Sequence, residues 1–183
     1  MKILVAYATK HGATPEIAER IAARLRAAGH DADPQSAEAV RDIAGYDGFV
    51  IGSAVYIEHW QKEAVEFCRR NLAILSSRPT WLFSSGPLGA QATDAEGRDL
   101  REITQPVEMA ELREAVRPRE HRVFFGALNP DTLGLGHRLM RSLPAGRALL
   151  PAGDFRDWTE IEAWADGIAR ELEQMSNVAT AGV

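Results

Sequence analysis

The sequence predicts an α/β domain in which five parallel strands form one sheet with helices on both faces. Short apolar runs alternate along the chain with stretches whose apolar residues recur at helical spacing, as in residues 2–7 and 17–25. Strands that are buried on both faces have such runs, and their alternation with helices is typical of a parallel sheet. Small or polar loops also follow three of the runs directly, at residues 9–14, 53–60 and 84–89.

The first strand, at residues 2–7, leads into a short loop and then a helix. Thr14 suits the N-cap of this helix, and Pro15 suits its first position, where the missing N–H is not needed. Gly29 fits the end of the helix. Helical spacing predicts one apolar stripe along the buried side of the helix, formed by Ile17, Ala18, Ile21, Ala22 and Leu25.

The next four strands differ in character. Residues 30–34 are short and polar, as an edge strand can be, whereas residues 48–52 form the uninterrupted apolar run of a central strand. The fourth and fifth strands are predicted at residues 79–83 and 122–127. Between the third and fourth strands a helix is predicted from about Gln61, with a buried face made of Ala64, Phe67, Cys68, Leu72 and Leu75.

The last helix has a clear start. Asp157 can cap it, and Glu160 stands three residues later, which is the spacing of a capping box. Residues 1–175 are therefore expected to form a single domain, and residues 176–183 a flexible C-terminal tail. The buried stripe of the last helix is predicted to contain Ile161, Trp164, Ala165, Ile168 and Leu172.

Charge and composition limit the classes of function. The net charge of −5 disfavours nucleic acid as the main partner, because nucleic-acid binding leaves a basic footprint. Residues 113–147 nevertheless hold seven arginines, which fits either a solvated face or attraction to an anionic membrane or to substrate carboxylates. A bilayer-spanning run and a signal peptide are not found, so a cytoplasmic location is expected. The single cysteine, Cys68, is expected to pack in the core, and no metal site is expected.

The loop at residues 9–14 has the composition of a phosphate site. Backbone N–H groups and the positive end of the helix dipole converge where the helix begins, and the hydroxyls of Thr9 and Thr14 can add donors. The three-glycine dinucleotide fingerprint and the Gly-Lys-Ser/Thr loop of nucleotide triphosphatases are both absent. The alternative is an ordinary strand-to-helix turn that is capped by Thr14.

Ligands of open parallel sheets bind outside the carboxyl ends of the strands, where all three loops are expected to meet. Residues 53–60 bring Tyr56, His59 and Trp60 together, and aromatic side chains suit a flat cofactor. The glycines of residues 84–89 permit close approach of the backbone to a ligand. Plainer interpretations stay open, because Tyr56 and Trp60 can cover the next helix and His59 can be an ordinary exposed or capping histidine.

The chain to about residue 175 resembles the flavodoxin-like family, and within it the menaquinone-dependent protoporphyrinogen dehydrogenase group. The loop at residues 9–14 is similar to the Thr-x-Thr-Gly-x-Thr phosphate loop of flavodoxins, with His11 in place of the middle hydroxyl. The resemblance implies a three-layer sandwich with strand order 2-1-3-4-5 and FMN as the cofactor. It also rests on Val50-Ile51-Gly52-Ser53-Ala54 followed by an aromatic residue and His59, on Phe125-Gly126-Ala127-Leu128 and on Asp157-Trp158.

The resemblance further implies which residues form the site. Residues 9–14 would hold the FMN phosphate, residues 53–56 and 84–89 would contact the isoalloxazine ring, and His59 is the candidate proton relay. The expected cofactor-binding residues are Thr9, Lys10, His11, Gly12, Ala13, Thr14, Ser53, Ala54, Val55, Tyr56, Trp60, Ser84, Ser85, Gly86, Pro87, Leu88 and Gly89.

The family implies an FMN-dependent oxidoreductase that moves electrons between a small-molecule donor and an acceptor, with a quinone as the candidate acceptor. Residues 129–151 contain a short stretch with leucines and arginines on different sides, which can contact the inner face of an anionic membrane. Two alternatives stay open: a non-catalytic flavodoxin-type electron carrier that docks to redox proteins, and an interaction domain without a cofactor. The modest net charge favours the enzyme, because carriers tend to be acidic near the flavin. The oligomeric state is open, and a homodimer is one option.

Overall fold

A parallel sheet forms the centre of the computed structural model, which describes residues 1–86, 88–89, 91, 93–94, 96–133, 139, 142–143 and 151–181. The order of its parallel strands is β2-β1-β3-β5-β6, which confirms the predicted order of five strands. A short strand, β4, pairs antiparallel with β3 and makes the sheet six-stranded. The strands are β1 (Lys2–Ala8), β2 (Asp31–Ser36), β3 (Gly48–Tyr56), β4 (His59–Trp60), β5 (Thr80–Ser85) and β6 (His121–Phe124).

Two further short strands form a separate antiparallel ribbon. They are β7 (Ala127–Leu128) and β8 (Gly153–Asp154), which pair with each other. The sequence predicted neither this ribbon nor β4, because a strand of two residues is too short to show a periodic pattern. The ribbon lies directly after β6, so it extends the carboxyl edge of the sheet.

The helices pack on both faces of the sheet, as predicted. Helix α5 was not predicted, although Met109, Leu112 and Val116 bury one of its sides. The last helix continues to Ala181, so residues 176–181 are helical where a loose tail was expected. The helices are α1 (Ala13–Ala27), α2 (Lys62–Arg70), α3 (Leu72–Leu75), α4 (Leu100–Ile103), α5 (Met109–Val116) and α6 (Trp158–Ala181), with a short 3₁₀ turn at Pro130–Thr132.

The helix predicted from Gln61 is interrupted at Asn71, where α2 ends and α3 begins. Its four other predicted core residues are buried, but Leu72 is 37% exposed. The interruption rotates the following residues relative to α2, so a single helical stripe no longer applies to Leu72. Cys68 is buried as expected, and burial raises the pKa of its thiol to about 12.

Side chains alternate between the two faces of the sheet and divide the core into two clusters. Leu4 and Ala6 of β1 lie on the face covered by α2 and α5, whereas Ile3 and Val5 lie on the face covered by α1 and α6. This alternation is the normal consequence of strand geometry. It produces the expected three-layer sandwich, and both faces of the central strands are buried as their apolar runs predicted.

Helices α1 and α6 are also joined at their surface. Arg24 forms a two-bond ion pair with Asp166 at 2.7 and 2.8 Å, and Arg20 bonds Glu162 at 2.5 Å. At the start of α6, Asp157 accepts a hydrogen bond from the Glu160 N–H at 3.1 Å, which confirms the predicted cap. Among the described residues, no helix is long and apolar enough to span a membrane.

Candidate functional site

A cleft opens at the carboxyl edge of the sheet, at the ends of four strands. The empty space in it is about 470 Å³, a volume that includes the solvent at its open mouth. The loop after β1, the end of β3 and the segment after β5 meet in it, as the sequence predicted. Its lining residues are Thr9, Lys10, His11, Ala13, Thr14, Ala54, Val55, Tyr56, Ser85, Gly86, Leu88, Gly126, Ala127 and Leu128.

The loop after β1 forms a turn that aims the start of α1 at the cleft. Gly12 is the N-cap residue, and its φ of 90° lies in the left-handed region that favours glycine. The Gly12 N–H donates to Thr9 Oγ1 at 3.0 Å, so Thr9 stabilises the turn itself. The helix begins at Ala13, and no side chain caps it. The prediction of Thr14 as the N-cap was therefore wrong by two positions.

Thr14 instead contributes a buried hydroxyl to the wall of the cleft. The residue is fully buried, and its Oγ1 has no hydrogen-bond partner in the structure. A buried hydroxyl without a partner is costly, so such groups are rare unless a ligand satisfies them. The hydroxyl lies in the first turn of α1, where backbone N–H groups have no partner within the helix. This end of the cleft is suited to an anionic oxygen-rich group.

Tyr56 contacts the loop after β1 from the opposite wall. Its ring meets the His11 ring edge-on, with centroids 6.1 Å apart, and Lys10 Nζ lies 5.2 Å from its centroid. Both Lys10 and His11 are therefore close to the Tyr56 ring. Lys10 places a positive charge at the end of the cleft that suits an anionic group, and the Tyr56 ring provides a flat apolar surface beside it.

The segments after β5 and β6 form another wall of the cleft. A Cβ added to Gly126 would lie 3.1 Å from the Gly86 carbonyl oxygen, so these two backbone segments run close together. Gly126, Ala127 and Leu128 were not among the predicted site residues. The available signal was a glycine directly after an apolar strand, the same pattern that marked Gly86 after β5.

Several predicted site residues do not line the cleft. Ser53 is buried and accepts a hydrogen bond from the Gln61 N–H at 2.9 Å, and Trp60 is a core residue whose indole donates to Ser84 Oγ at 2.8 Å. Gly12 lines an adjacent recess instead. Gly89 is likewise not part of the lining, and Pro87 is outside the described residues.

The family comparison agrees with this geometry. The sequence profile of the flavodoxin domain matches residues 4–144. The chain belongs to the flavodoxin domain family. The solved structure of a flavodoxin from the domain Archaea has a TM-score of 0.58 and 15% identity, and the match covers 94% of this chain and 99% of that one.

Two other similarities are more partial. The flavodiiron core Flv1 from Synechocystis sp. PCC6803 has a TM-score of 0.62 at 16% identity, covering 96% of this chain and 36% of that one. The Escherichia coli (strain K12) protein named Protoporphyrinogen IX dehydrogenase (quinone) is 30% identical over 86 residues, 46% of this chain and 48% of that protein. The match spans about half the length of these curated relatives. The structural similarities establish the fold alone.

Flavin binding is what the flavodoxin domain implies, and the cleft has the features that it needs. The unsatisfied Thr14 hydroxyl and the helix start suit an anionic end group, while Tyr56 and the Gly86 and Gly126 backbone suit a flat ring. The lining of this cleft, the candidate flavin cleft, is therefore compatible with a flavin. Its four walls come from segments that are far apart in the sequence.

His59 does not line the flavin cleft. It lies beside a tight turn, and Glu108 contacts it there. Ile57 and Glu58 have φ values of 49° and 63° and form the tight turn between β3 and β4, which presents His59 at 58% side-chain exposure. Glu108 accepts from the Trp60 N–H at 3.1 Å, and its other carboxylate oxygen lies 2.7 Å from His59 Nδ1. Burial alone would raise the pKa of Glu108, but these hydrogen bonds lower it overall.

Replacing His59 by glutamine is expected to leave flavin oxidation unchanged. The exposed contact to Glu108 contributes less than about 1 kcal/mol, as exposed pairs generally do, so urea unfolding should detect only a small loss. Stopped-flow oxidation of the reduced flavin tests the proton-relay interpretation directly. If the reduced flavin of His59→Gln is oxidised tenfold more slowly, His59 takes part in the reaction.

His121 of β6 lies in a partly buried hydrogen-bonded network with Arg113, Ser84 and Trp60. Arg113, which can only donate, lies 3.3 Å from His121 Nδ1, so this nitrogen is the acceptor and Nε2 carries the proton. His121 Nε2 then donates to Ser84 Oγ at 2.9 Å, the atom that also accepts from Trp60. Burial, together with the charge of Arg113, lowers the pKa of His121 to about 4.

The protein is expected to lose stability between pH 6.5 and pH 4. The unfolded His121 takes up a proton near pH 6.5, whereas the folded one resists until about pH 4. The unfolded state therefore binds more protons in this window, and stability falls by roughly 3 kcal/mol as the pH falls through it. Urea unfolding at several pH values measures the slope. His121→Gln should flatten it, and an equal slope in that variant would contradict the assignment.

Proposed function

We propose that this protein is an FMN-dependent oxidoreductase that passes electrons to a quinone. The phosphate of FMN would be held by residues 9–14, and its ring by residues 54–56, 85, 86, 88 and 126–128. When bound, FMN supplies the reversible transfer of one or two electrons. The chain's own residues bind and orient it and decide which molecules reach it.

The features at the start of α1 support FMN over an unphosphorylated flavin. Thr14 Oγ1 is buried and unsatisfied, and the helix dipole favours negative charge at this point. Lys10 adds a cation to the lining. A phosphate monoester would satisfy the hydroxyl and the helix N–H groups together, whereas riboflavin would leave them unpaired.

A side pocket beside the flavin cleft is the observation that carries the choice of acceptor. Val55 and Gly86 belong to the walls of both cavities, so a molecule in the side pocket would lie next to the flavin. Glu58, Ile103 and Thr104 complete its lining. Ile103 is 45% exposed, which leaves an apolar surface at the pocket mouth.

The rim of the side pocket continues this apolar surface. Ile57 and Val107 are 74% and 64% exposed, and the Val107 N–H donates to the Glu58 carbonyl at 2.9 Å, which ties the two segments together. Exposed apolar side chains that adjoin a ligand cleft mark an interaction site. They suit the ring and the hydrocarbon tail of a quinone.

The charge of the two cavities supports a small apolar acceptor over a protein partner. Among the described lining residues, Lys10 and Glu58 are the charged ones apart from histidine. An electron carrier that steers onto redox proteins would gain from an acidic rim around its flavin. The described lining of the two cavities does not form such a rim.

The proposal includes contact of residues 129–151 with an anionic membrane, where a quinone would be found. Most of this segment lies outside the described residues. Leu139 and Leu143 within it are 74% and 61% exposed, which supports the contact. Vesicle flotation with and without anionic lipid tests it, and equal recovery with neutral vesicles would contradict it.

The deciding experiment has two stages. The absorption spectrum of the purified protein, before and after addition of FMN, establishes whether flavin binds. The photoreduced holoprotein is then mixed anaerobically with menadione or, in parallel, with cytochrome c. Fast oxidation by the quinone supports the enzyme, while slow oxidation by menadione with fast exchange to cytochrome c would favour the carrier.

Ile103→Glu is the variant that tests the side pocket in the same experiment. A carboxylate at this position should slow oxidation by menadione at least about tenfold, because a bound quinone would remove part of its hydration without offering it a partner. Val178→Glu is the matched control, since Val178 is 75% exposed on α6 and lines neither cavity. Equal rates in the two variants would contradict the proposed location of the acceptor.

A further inference from the structure

Arg156 is a buried cation next to the loop that would hold the flavin phosphate. Its side chain is only 6% exposed. It lines the recess beside the cleft together with His11 and Gly12 of the loop after β1. Nothing in the sequence pattern singled it out, because it lies more than 140 residues from that loop.

The Arg156 guanidinium is held in a fixed orientation. Its Nε and Nη2 donate to the two oxygens of Asp154 at 2.7 and 2.6 Å, and the group lies 4.4 Å from the centre of the Trp158 ring. Such two-bond pairing is geometrically specific, and stacking fixes the plane of the guanidinium. Consistently, the guanidinium holds the pKa of the Asp154 carboxyl below its usual range.

From this position Arg156 reaches the first turn of α1. Its Nη1 donates to the Ala13 carbonyl oxygen at 3.2 Å, and its Nη2 lies 3.0 Å from Glu16 Oε2. Ala13 is the first residue of the helix, directly between Gly12 and Thr14. One side chain therefore joins the β7–β8 ribbon, which forms one wall of the cleft, to the helix start that forms another.

The charges around the helix start explain why this contact matters. Glu16 and Asp154 are two carboxylates in the recess next to the phosphate loop. An acidic residue in the first turn stabilises a helix without a ligand, but it repels a phosphate that binds there. Arg156 contacts both carboxylates, so it offsets the charge that would oppose a phosphate.

We propose that Arg156 is a positioning residue that makes the cleft selective for a phosphorylated flavin. It holds the Ala13 turn against the β7–β8 ribbon, and it neutralises Glu16 and Asp154 beside the phosphate loop. This inference rests on the proposed function, since it concerns the same flavin cleft. It assigns to Arg156 a role in discriminating FMN from riboflavin.

The test compares two ligands rather than one. Dissociation constants for FMN and riboflavin are measured by quenching of flavin fluorescence, with the wild type and with Arg156→Gln. The variant should bind FMN at least about tenfold more weakly, while its riboflavin affinity stays within about twofold of the wild type. Added salt should reduce the loss of FMN affinity in Arg156→Gln, because it screens the uncompensated carboxylates.

Two more variants separate charge from general structural damage. Glu16→Gln combined with Arg156→Gln should recover part of the FMN affinity, because one repelling carboxylate is gone. Arg156→Lys keeps the charge but cannot span Asp154, Ala13 and Glu16 together, so an intermediate FMN affinity is expected. Arg24→Gln is the control, since it breaks an ion pair between α1 and α6 away from the loop.

The outcomes are distinct. If Arg156→Gln binds FMN and riboflavin with the same ratio of dissociation constants as the wild type, the inference is overturned while the proposed function stands. A wild-type protein that binds neither flavin would contradict the proposed function and the inference with it. If Arg156→Gln does not fold, the ligand ratio of Arg156→Lys decides, and a wild-type ratio there overturns the inference.

Discussion

Thr14→Val is expected to weaken FMN binding at least about tenfold and at the same time to stabilise the flavin-free protein. The reason for the first effect is that the valine lacks the buried hydroxyl that would bond the phosphate, a loss of about 1.5–3 kcal/mol for a hydrogen bond to a charged group. Riboflavin carries no phosphate, so its affinity should change little.

The second effect follows from the state of the hydroxyl without a ligand. Thr14 Oγ1 is fully buried and unsatisfied, and valine has nearly the same shape without the polar atom. Removing an unsatisfied polar group recovers part of its desolvation cost, which is about 1–3 kcal/mol. The melting temperature of flavin-free Thr14→Val should therefore rise by a few degrees.

Thr80→Val is the matched control for this experiment. Thr80 is also buried, but its hydroxyl donates to the Leu75 carbonyl at 3.0 Å. The same substitution there should lower the melting temperature and leave flavin affinity unchanged. Fluorescence titration and thermal unfolding measure both effects. A destabilised Thr14→Val that still binds FMN normally would show that the hydroxyl has a structural partner instead.

Gly52→Ala is expected to cause the largest loss of stability among single methyl additions in the central sheet. The new Cβ would lie 1.9 Å from Phe83 Cζ, far inside contact distance. Phe83 has no room to move, because it is fully buried and packs against Phe124 and Trp164. Such overpacking should cost about 3 kcal/mol or more.

Gly45→Ala provides the comparison, because a Cβ at Gly45 would meet no atom within 4 Å. Its effect should stay within about 1 kcal/mol, and it can be slightly stabilising. Gly52→Ala combined with Phe83→Leu should lose less stability than the sum of the two changes, because the smaller side chain relieves the clash. Urea unfolding is measured for the wild type, Gly45→Ala, Gly52→Ala, Phe83→Leu and the double variant. A neutral Gly52→Ala would contradict the packing described for β3 and β5.

The cleft wall that β3 supplies depends on this packing. Beyond Gly52, β3 continues to Tyr56 and supplies Ala54 and Val55 to the cleft wall. A shift of β3 would move that wall relative to the loop that holds Thr14. Flavin affinity of folded Gly52→Ala is therefore expected to fall together with its stability.

The sequence predicted those elements whose patterns lie within a few neighbouring residues. The apolar runs of the parallel strands, the Asp157 cap and the turn at Gly29 each depend on a few neighbouring residues. The loop at residues 9–14 could be identified in the same way, because a strand that leads through a small-residue turn into a helix is a local pattern. These features were sufficient to predict the fold and three walls of the cleft.

The tertiary structure decided which side chains of those loops face the ligand. Strand β5 extends to Ser85, so Ser84 and Ser85 point to opposite faces, and Ser84 bonds Trp60 and His121 in the core. The exact end of a strand is not encoded in a short polar run, so Ser84 was expected in the cleft. Trp60 was expected there too, because its hydrogen bond to Ser84 joins two strands that are distant in the sequence.

Two other features could not be predicted because they join distant parts of the chain. The fourth wall comes from the segment after β6, and Arg156 contacts the start of α1 only because α6 packs against α1. Local propensity and periodicity carry no information about such pairs. The sequence by itself determined the layers of the sheet and helices, whereas their packing decided which charges and hydroxyls meet at the flavin cleft.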